Sequence, residues 1–165
     1  QEPLKTAEAG TTFQPLINYE QGLTDTMKTL TIRWHRLVDE SGRTCDRCRD
    51  TGNTVKSACS KLQKALAARS VQVRLETEAI SVRAFKRDPL QSNRLLIGGR
   101  PLEEWVGAAV GQSQCCHVCG DSQCRTLTIG STTFEAIPEE LIVKAGLLAA
   151  AELFGDEKQK KARER

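Results

Sequence analysis

Leu30, Ile32 and Trp34 alternate with Thr31, Arg33 and His35, and a period of two marks a strand with one buried face. Leu37 and Val38 extend it. The next apolar residues keep a different rhythm. Val55, Ala58, Cys59, Leu62 and Leu66 recur at helical spacing between about Thr51 and Arg69, with Lys56, Lys61 and Lys64 on the other faces; this is the pattern of an amphipathic helix. Val71, Val73 and Leu75 then return to alternation with Gln72, Arg74 and Glu76. Strand, helix and strand in that order join within one sheet by a right-handed parallel crossover. This unit constrains the fold more than any other feature, and it predicts an α/β architecture.

The remaining segments are assigned around that unit. A short helix is expected near Val82 to Phe85, and a third strand at Leu95 to Ile97, ended by Gly98-Gly99. Leu102, Trp105 and Val106 fit either a fourth strand or a short helix. Arg125 to Ile129 and Thr132 to Ile137 flank Gly130-Ser131, a hairpin signal with glycine first. Pro138, Glu139 and Glu140 open a helix whose apolar run extends from Leu141 to Phe154. So many apolar sides predict deep burial or a homodimer contact. A chain of 165 residues has room for one domain of ordinary size. The expected organisation is an N-terminal arm at 1–26, anchored by Phe13, Leu16, Ile17 and Tyr19, a domain at 27–155 and a charged tail at 156–165.

Lysine and arginine number 24 against 21 acidic residues, a net charge of +3. That excess is too small and too scattered for an electrostatic nucleic-acid surface. Gln1 to Gly10 lacks the apolar core of a signal peptide, and Lys144 and Glu152 interrupt the most apolar stretch, so neither membrane insertion nor export is expected. The expectation is a cytoplasmic protein, with Gln1 leaving a processed leader open.

The chain has seven cysteines, six of them in two tight groups. A secreted disulfide framework scatters its cysteines to staple loops, whereas grouping in a reducing compartment points to redox chemistry or metal binding. Cys45-Asp46-Arg47-Cys48 lies between the first strand and the helix. One thiol can there sit at a helix N-terminus, where free N–H groups and the dipole favour thiolate. Arg43, Arg47 and Arg49 are expected to lower the thiol pKa, with Asp46 and Asp50 opposing them. Cys45 is read as the exposed attacking thiolate and Cys48 as the resolving thiol. Cys59, on the apolar stripe of the helix, reads as a small buried hydrophobe.

The second group is Cys115-Cys116-His117-Val118-Cys119, with Cys124 five residues on. Cys116 and Cys119 have knuckle spacing, and Cys115, Cys124 or His117 would complete a tetrahedral zinc shell. A structural zinc knot and a redox relay are both open at this point, and His117 is equally readable as an exposed loop residue. Zinc is the metal expected; mercury or copper would suit the same thiolates, and an iron-sulfur cluster is a third use of four cysteines. The gap from Cys48 to Cys116 is too long for a simple zinc ribbon. Glu103, Glu104, Glu139 and Glu140 read as surface and helix-start residues, and nothing sets His35 beside Cys45.

The order of strand, Thr44-Cys45 with Cys48, helix and strand, then Ile97-Gly98-Gly99-Arg100, Cys116, Cys119, Cys124-Arg125 and the stretch from Phe134 to Pro138 resembles a family of uncharacterised prokaryotic thioredoxin-like proteins. The likeness runs from about Leu30 to Leu153. It implies a thioredoxin-like mixed sheet with flanking helices, a cysteine-rich insertion at about 107–124, and a C-terminal hairpin and helix. In such a sheet the insertion returns towards Cys45 and Cys48, so that the two groups exchange disulfides or share a metal. One departure stands out. Thioredoxins carry a cis-proline where this chain has Asn93, within Ser92-Asn93-Arg94, and Pro89 falls too early to replace it. Loss of that proline weakens the case for general disulfide reduction and eases metal binding. The expectation is therefore a thiol redox protein working with a redox partner protein, or a metal-binding module for zinc or a soft metal.

Overall fold

The computed structural model describes residues 27–115, 119 and 121–163, with side chains described as far as Gly155. The expected N-terminal arm, Cys116, His117 and the side chains of the charged tail lie outside the described residues.

The crossover forms as the alternation requires. Strand β1 (Lys28–Val38) and strand β2 (Val71–Ser81) pair in parallel over their whole length, from Lys28 opposite Val71 to Val38 opposite Ser81. Helix α1 (Asp46–Leu66) connects them. It begins five residues before the expected start, so Cys48 lies in its first turn rather than in a loop. Leu30, Ile32 and Trp34 point to the face covered by α1, where Val55, Ala58, Leu62 and Leu66 are buried. Each fully buried Val, Leu or Ile side chain contributes about 1.5–3 kcal/mol. Leu37, an odd number of residues beyond Trp34, points to the opposite face. There helix α2 (Val82–Arg87) packs, with Phe85 fully buried.

Strand β3 (Arg94–Ile97) runs antiparallel to β1 and turns through Gly98 and Gly99 into the two-residue strand β4 (Arg100–Pro101). Both glycines have positive φ, 58° and 85°, the conformation a two-residue hairpin turn demands. The sheet order is β2-β1-β3-β4, a mixed sheet as expected. Leu102, Trp105 and Val106 belong to a helix, α3 (Leu102–Val106), not to a fourth strand.

The expected cysteine-rich insertion is built on strands. Strand β5 (Ala109–Gln114) pairs antiparallel with β6 (Gln123–Ile129), and β6 pairs with β7 (Thr132–Phe134) around Gly130, giving a second sheet of order β5-β6-β7. β5 is absent from the sequence reading. The C-terminal helix α4 (Glu139–Arg163) buries Ile142, Ala145, Ala149 and Ala150 against α1 and α3, and leaves Leu147 and Leu148 exposed. Its apolar run is thus buried on one face only. Among the described residues no helix is long and apolar enough to cross a membrane.

Candidate metal centre

The loop from β1 to α1 is held by short polar contacts. Asp39 accepts from the Ser41 hydroxyl and from the Ser41 and Arg43 backbone N–H groups, which, led by the Ser41 hydroxyl, hold its carboxyl down at about 2. Thr44 donates its hydroxyl to the Leu37 carbonyl at 2.6 Å. Cys45 follows as the N-cap of α1, in extended conformation, its sulfur accepting the Cys48 N–H at 3.4 Å. A helix start leaves such N–H groups without intrahelical partners, and here a thiol rather than a hydroxyl takes one.

The second cysteine group arrives at the same place. Cys115 directly follows β5, and its Sγ lies 3.9 Å from Cys45 Sγ. The sulfur atoms of Cys45, Cys115 and Cys119 all lie within 4.8 Å of one another, a group that could hold a metal ion. Cys124, in β6 opposite Ser113, brings its Sγ to 3.1 Å from Cys119 Sγ. Two groups separated by about seventy residues of chain are thereby one cluster. Cys48 Sγ turns to the Ser92 hydroxyl at 3.6 Å. Cys59 is half-buried, and burial raises its thiol to about 11, in keeping with an inert packing residue.

Two expectations are corrected here. Cys45 and Cys48 are each 1% exposed, so Cys45 is not an exposed attacking group. Nor are the arginines aimed at the thiols. Arg43 pairs with Asp39, and Arg49 with Asp46 and Asp50. The Arg47 guanidinium, its side chain 7% exposed, donates to the Gln114 carbonyl at 3.0 Å and the Cys124 carbonyl at 3.4 Å, and pairs with Glu135 at 2.9 Å. Arg47 thus clamps the ends of β5 and β6 onto the helix that carries Cys45.

The electrostatics follow from the crowding. Cys48 is pushed down to about 6, first by the hydrogen bond from the Cys45 thiol, against the cost of burial, and then by Ser92, the Leu37 backbone and Thr44. Cys45 is pushed far above the ordinary thiol value, foremost by its contact with Cys119. Cys119 is also raised, with Cys124 as the leading cause. At Cys124 the contact with Cys119 favours thiolate but is outweighed by Cys45, burial and Cys115. Without a cation the cluster keeps most of its protons, because several thiolates in a buried space repel one another.

Asn93, which the expected thioredoxin resemblance aligns with a cis-proline, is 1% exposed with φ of 56°. Its Nδ2 donates to the Glu135 carbonyl at 3.2 Å. The described chain contains no cis peptide bond. The sequence points to Arg47 only as a charge near the thiols and to Ser92 only as a neighbour of Asn93, and it gives no sign of Gln114 or Glu135. A signal existed for the burial of Arg47: the buried stripe Leu66, Leu62, Ala58, Val55, Thr51 continues backwards at helical spacing to it.

A mixed α/β scaffold presenting a buried cluster of thiols at a helix start and a strand end is the class of protein these features define. The chain belongs to the family described as a domain of unknown function, DUF2703, which matches residues 30–146. It is 43% identical over 114 residues to a protein of Archaeoglobus fulgidus described as uncharacterized, covering 68% of this chain and 82% of that one. No solved structure matches it.

Proposed function

We propose that this protein is a thiolate metal-binding module, with zinc as its ion. The observation that carries the proposal is the approach of Cys45, Cys115 and Cys119 within 4.8 Å. A tetrahedral zinc ion with Zn–S bonds of about 2.3 Å separates its sulfurs by about 3.8 Å, and Cys45 and Cys115 stand 3.9 Å apart. Cys124, 3.1 Å from Cys119 but outside the group of three, is the fourth ligand in this reading, and its sulfur has to shift away from Cys119 and in towards the other two to complete the tetrahedron. Cys116 and His117 lie outside the described residues and are the competing fourth ligands. Bound zinc would supply the positive charge that the buried thiols lack, since a coordinating thiol is deprotonated outright. A tetrahedral set of four sulfurs suits zinc or iron-sulfur chemistry. Sulfurs this close suit a single ion, because a cluster would hold its cysteines on separate irons.

Zinc content of anaerobically purified protein tests this. About one zinc per chain is expected, lost in Cys45→Ser and in Cys119→Ser and retained in Cys59→Ser. Metal-free protein that takes up no zinc or cadmium would remove the proposal. The second reading, thiol-disulfide exchange between Cys45 and Cys48, is favoured by the lowered Cys48 thiol and opposed by the burial of both residues. It requires that the reduced, metal-free protein reduce a disulfide substrate at a rate that Cys45→Ser abolishes.

A further inference from the structure

Four sulfurs complete a tetrahedral ion, yet Cys48 is a fifth thiol beside the site. Cys45 belongs to two relationships. Its sulfur lies in the close group with Cys115 and Cys119, and it also accepts the Cys48 N–H at 3.4 Å. Cys48 and Cys124 are both outside that group of three, but the Cys124 sulfur lies 3.1 Å from Cys119, whereas the Cys48 sulfur turns to the Ser92 hydroxyl at 3.6 Å. Cys45 is the N-cap of α1 and folds its sulfur back over the first turn onto the Cys48 N–H, which leaves the two side chains near enough for local motion to reach the Cβ separation of about 3.5–4.5 Å that a disulfide needs. A sulfur engaged in a disulfide carries no charge for a metal, so the two roles of Cys45 exclude each other. Building on the metal-binding reading, we infer that Cys48 is a redox trigger: peroxide joins Cys45 and Cys48 in a disulfide, and the centre loses one ligand and releases its ion.

The chemistry balances with hydrogen peroxide as oxidant. The Cys48 sulfur, which no metal holds, attacks one peroxide oxygen; an S–O bond forms, the O–O bond breaks, and hydroxide leaves. The Cys45 sulfur then attacks the Cys48 sulfenic acid. The S–S bond forms as the zinc–sulfur and S–O bonds break, and a second hydroxide leaves. The two hydroxides become water by taking the proton of the Cys48 thiol and one from solvent. The two sulfurs together give up two electrons, and peroxide accepts them. Burial of both thiols selects a water-sized oxidant over a bulky disulfide.

The test uses the full chain loaded with zinc and treated with hydrogen peroxide. Released zinc is followed with a colorimetric chelator, and disulfides are mapped by mass spectrometry after alkylation. The expected result is about one zinc released per Cys45–Cys48 disulfide, and release slowed about ten-fold or more in Cys48→Ser, which keeps all four proposed ligands. Equal release rates in wild type and Cys48→Ser would overturn the inference. So would a wild-type disulfide between Cys119 and Cys124 instead, a readout that does not depend on the variant folding. Reduced protein that never takes up zinc defeats the metal-binding reading itself, and is seen before any oxidant is added.

Discussion

Arg47 does the most with one side chain. It sits between the two cysteines of the first pair and reaches two carbonyls, Gln114 and Cys124, on the strands that bear the second group. Removing it takes a hydrogen bond with a charged donor from each carbonyl, worth about 1.5–3 kcal/mol. Arg47→Ala is expected to lower urea stability by about that amount and to weaken zinc binding in a chelator competition. Arg47→Lys should recover less than half, because one ammonium cannot span diverging acceptors as a planar fork does. Full recovery by lysine would show that charge alone matters. At this scale the sequence was legible where chemistry is written in residue type: Cys45, Cys48, Cys115, Cys119 and Cys124 are all singled out by spacing. Arg47 was not, because an arginine between two cysteines suggests charge on a thiol, whereas its partners are carbonyls that no sequence pattern announces.

Between elements, two glycines decide how closely helices approach. A Cβ at Gly52 would lie 2.5 Å from the Trp34 ring, and one at Gly146 would lie 2.4 Å from Leu62. The first sets α1 onto β1 and the second sets α4 onto α1. Gly52→Ala and Gly146→Ala are each expected to lower stability by about 1–3 kcal/mol through overpacking. Gly155→Ala, in the same helix as Gly146 but with open space around it, should be neutral or gain up to about 1 kcal/mol from helix propensity. Thermal melts of the three variants read this directly, and a Gly146→Ala protein as stable as wild type would contradict the packing described. The crossover was legible because its buried faces impose periods of 2 and 3.6. β5 was not: its residues, Ala109-Val110-Gly111-Gln112-Ser113-Gln114, bury neither face fully, so no alternation marks a strand that exists through backbone pairing with β6.

For the whole molecule, the thiol cluster makes stability depend on pH in opposite senses. Cys48, lowered to about 6 in the folded chain from an ordinary 9.0, contributes stability that is complete above 9.0 and lost as pH falls through about 6. Cys45, Cys119 and Cys124 are raised, so they withdraw stability as pH rises above 9.0, where the unfolded thiols ionise and the folded ones do not. Metal-free protein should therefore have its highest urea midpoint between those limits. Zinc should remove the alkaline loss, since its ligands are already thiolates. An alkaline decline of equal size with and without zinc would contradict this. The placement of the cysteines also has a temporal side. Cys45 and Cys115 are 70 residues apart, and at roughly 5–20 residues per second a ribosome takes about 4–14 s to travel between them. During that interval the first pair is exposed to the cell with none of its later neighbours to bury it. Alkylating nascent chains of increasing length should find Cys45 reactive until β6 is made and inert afterwards. Until then the chain has thiols but no site.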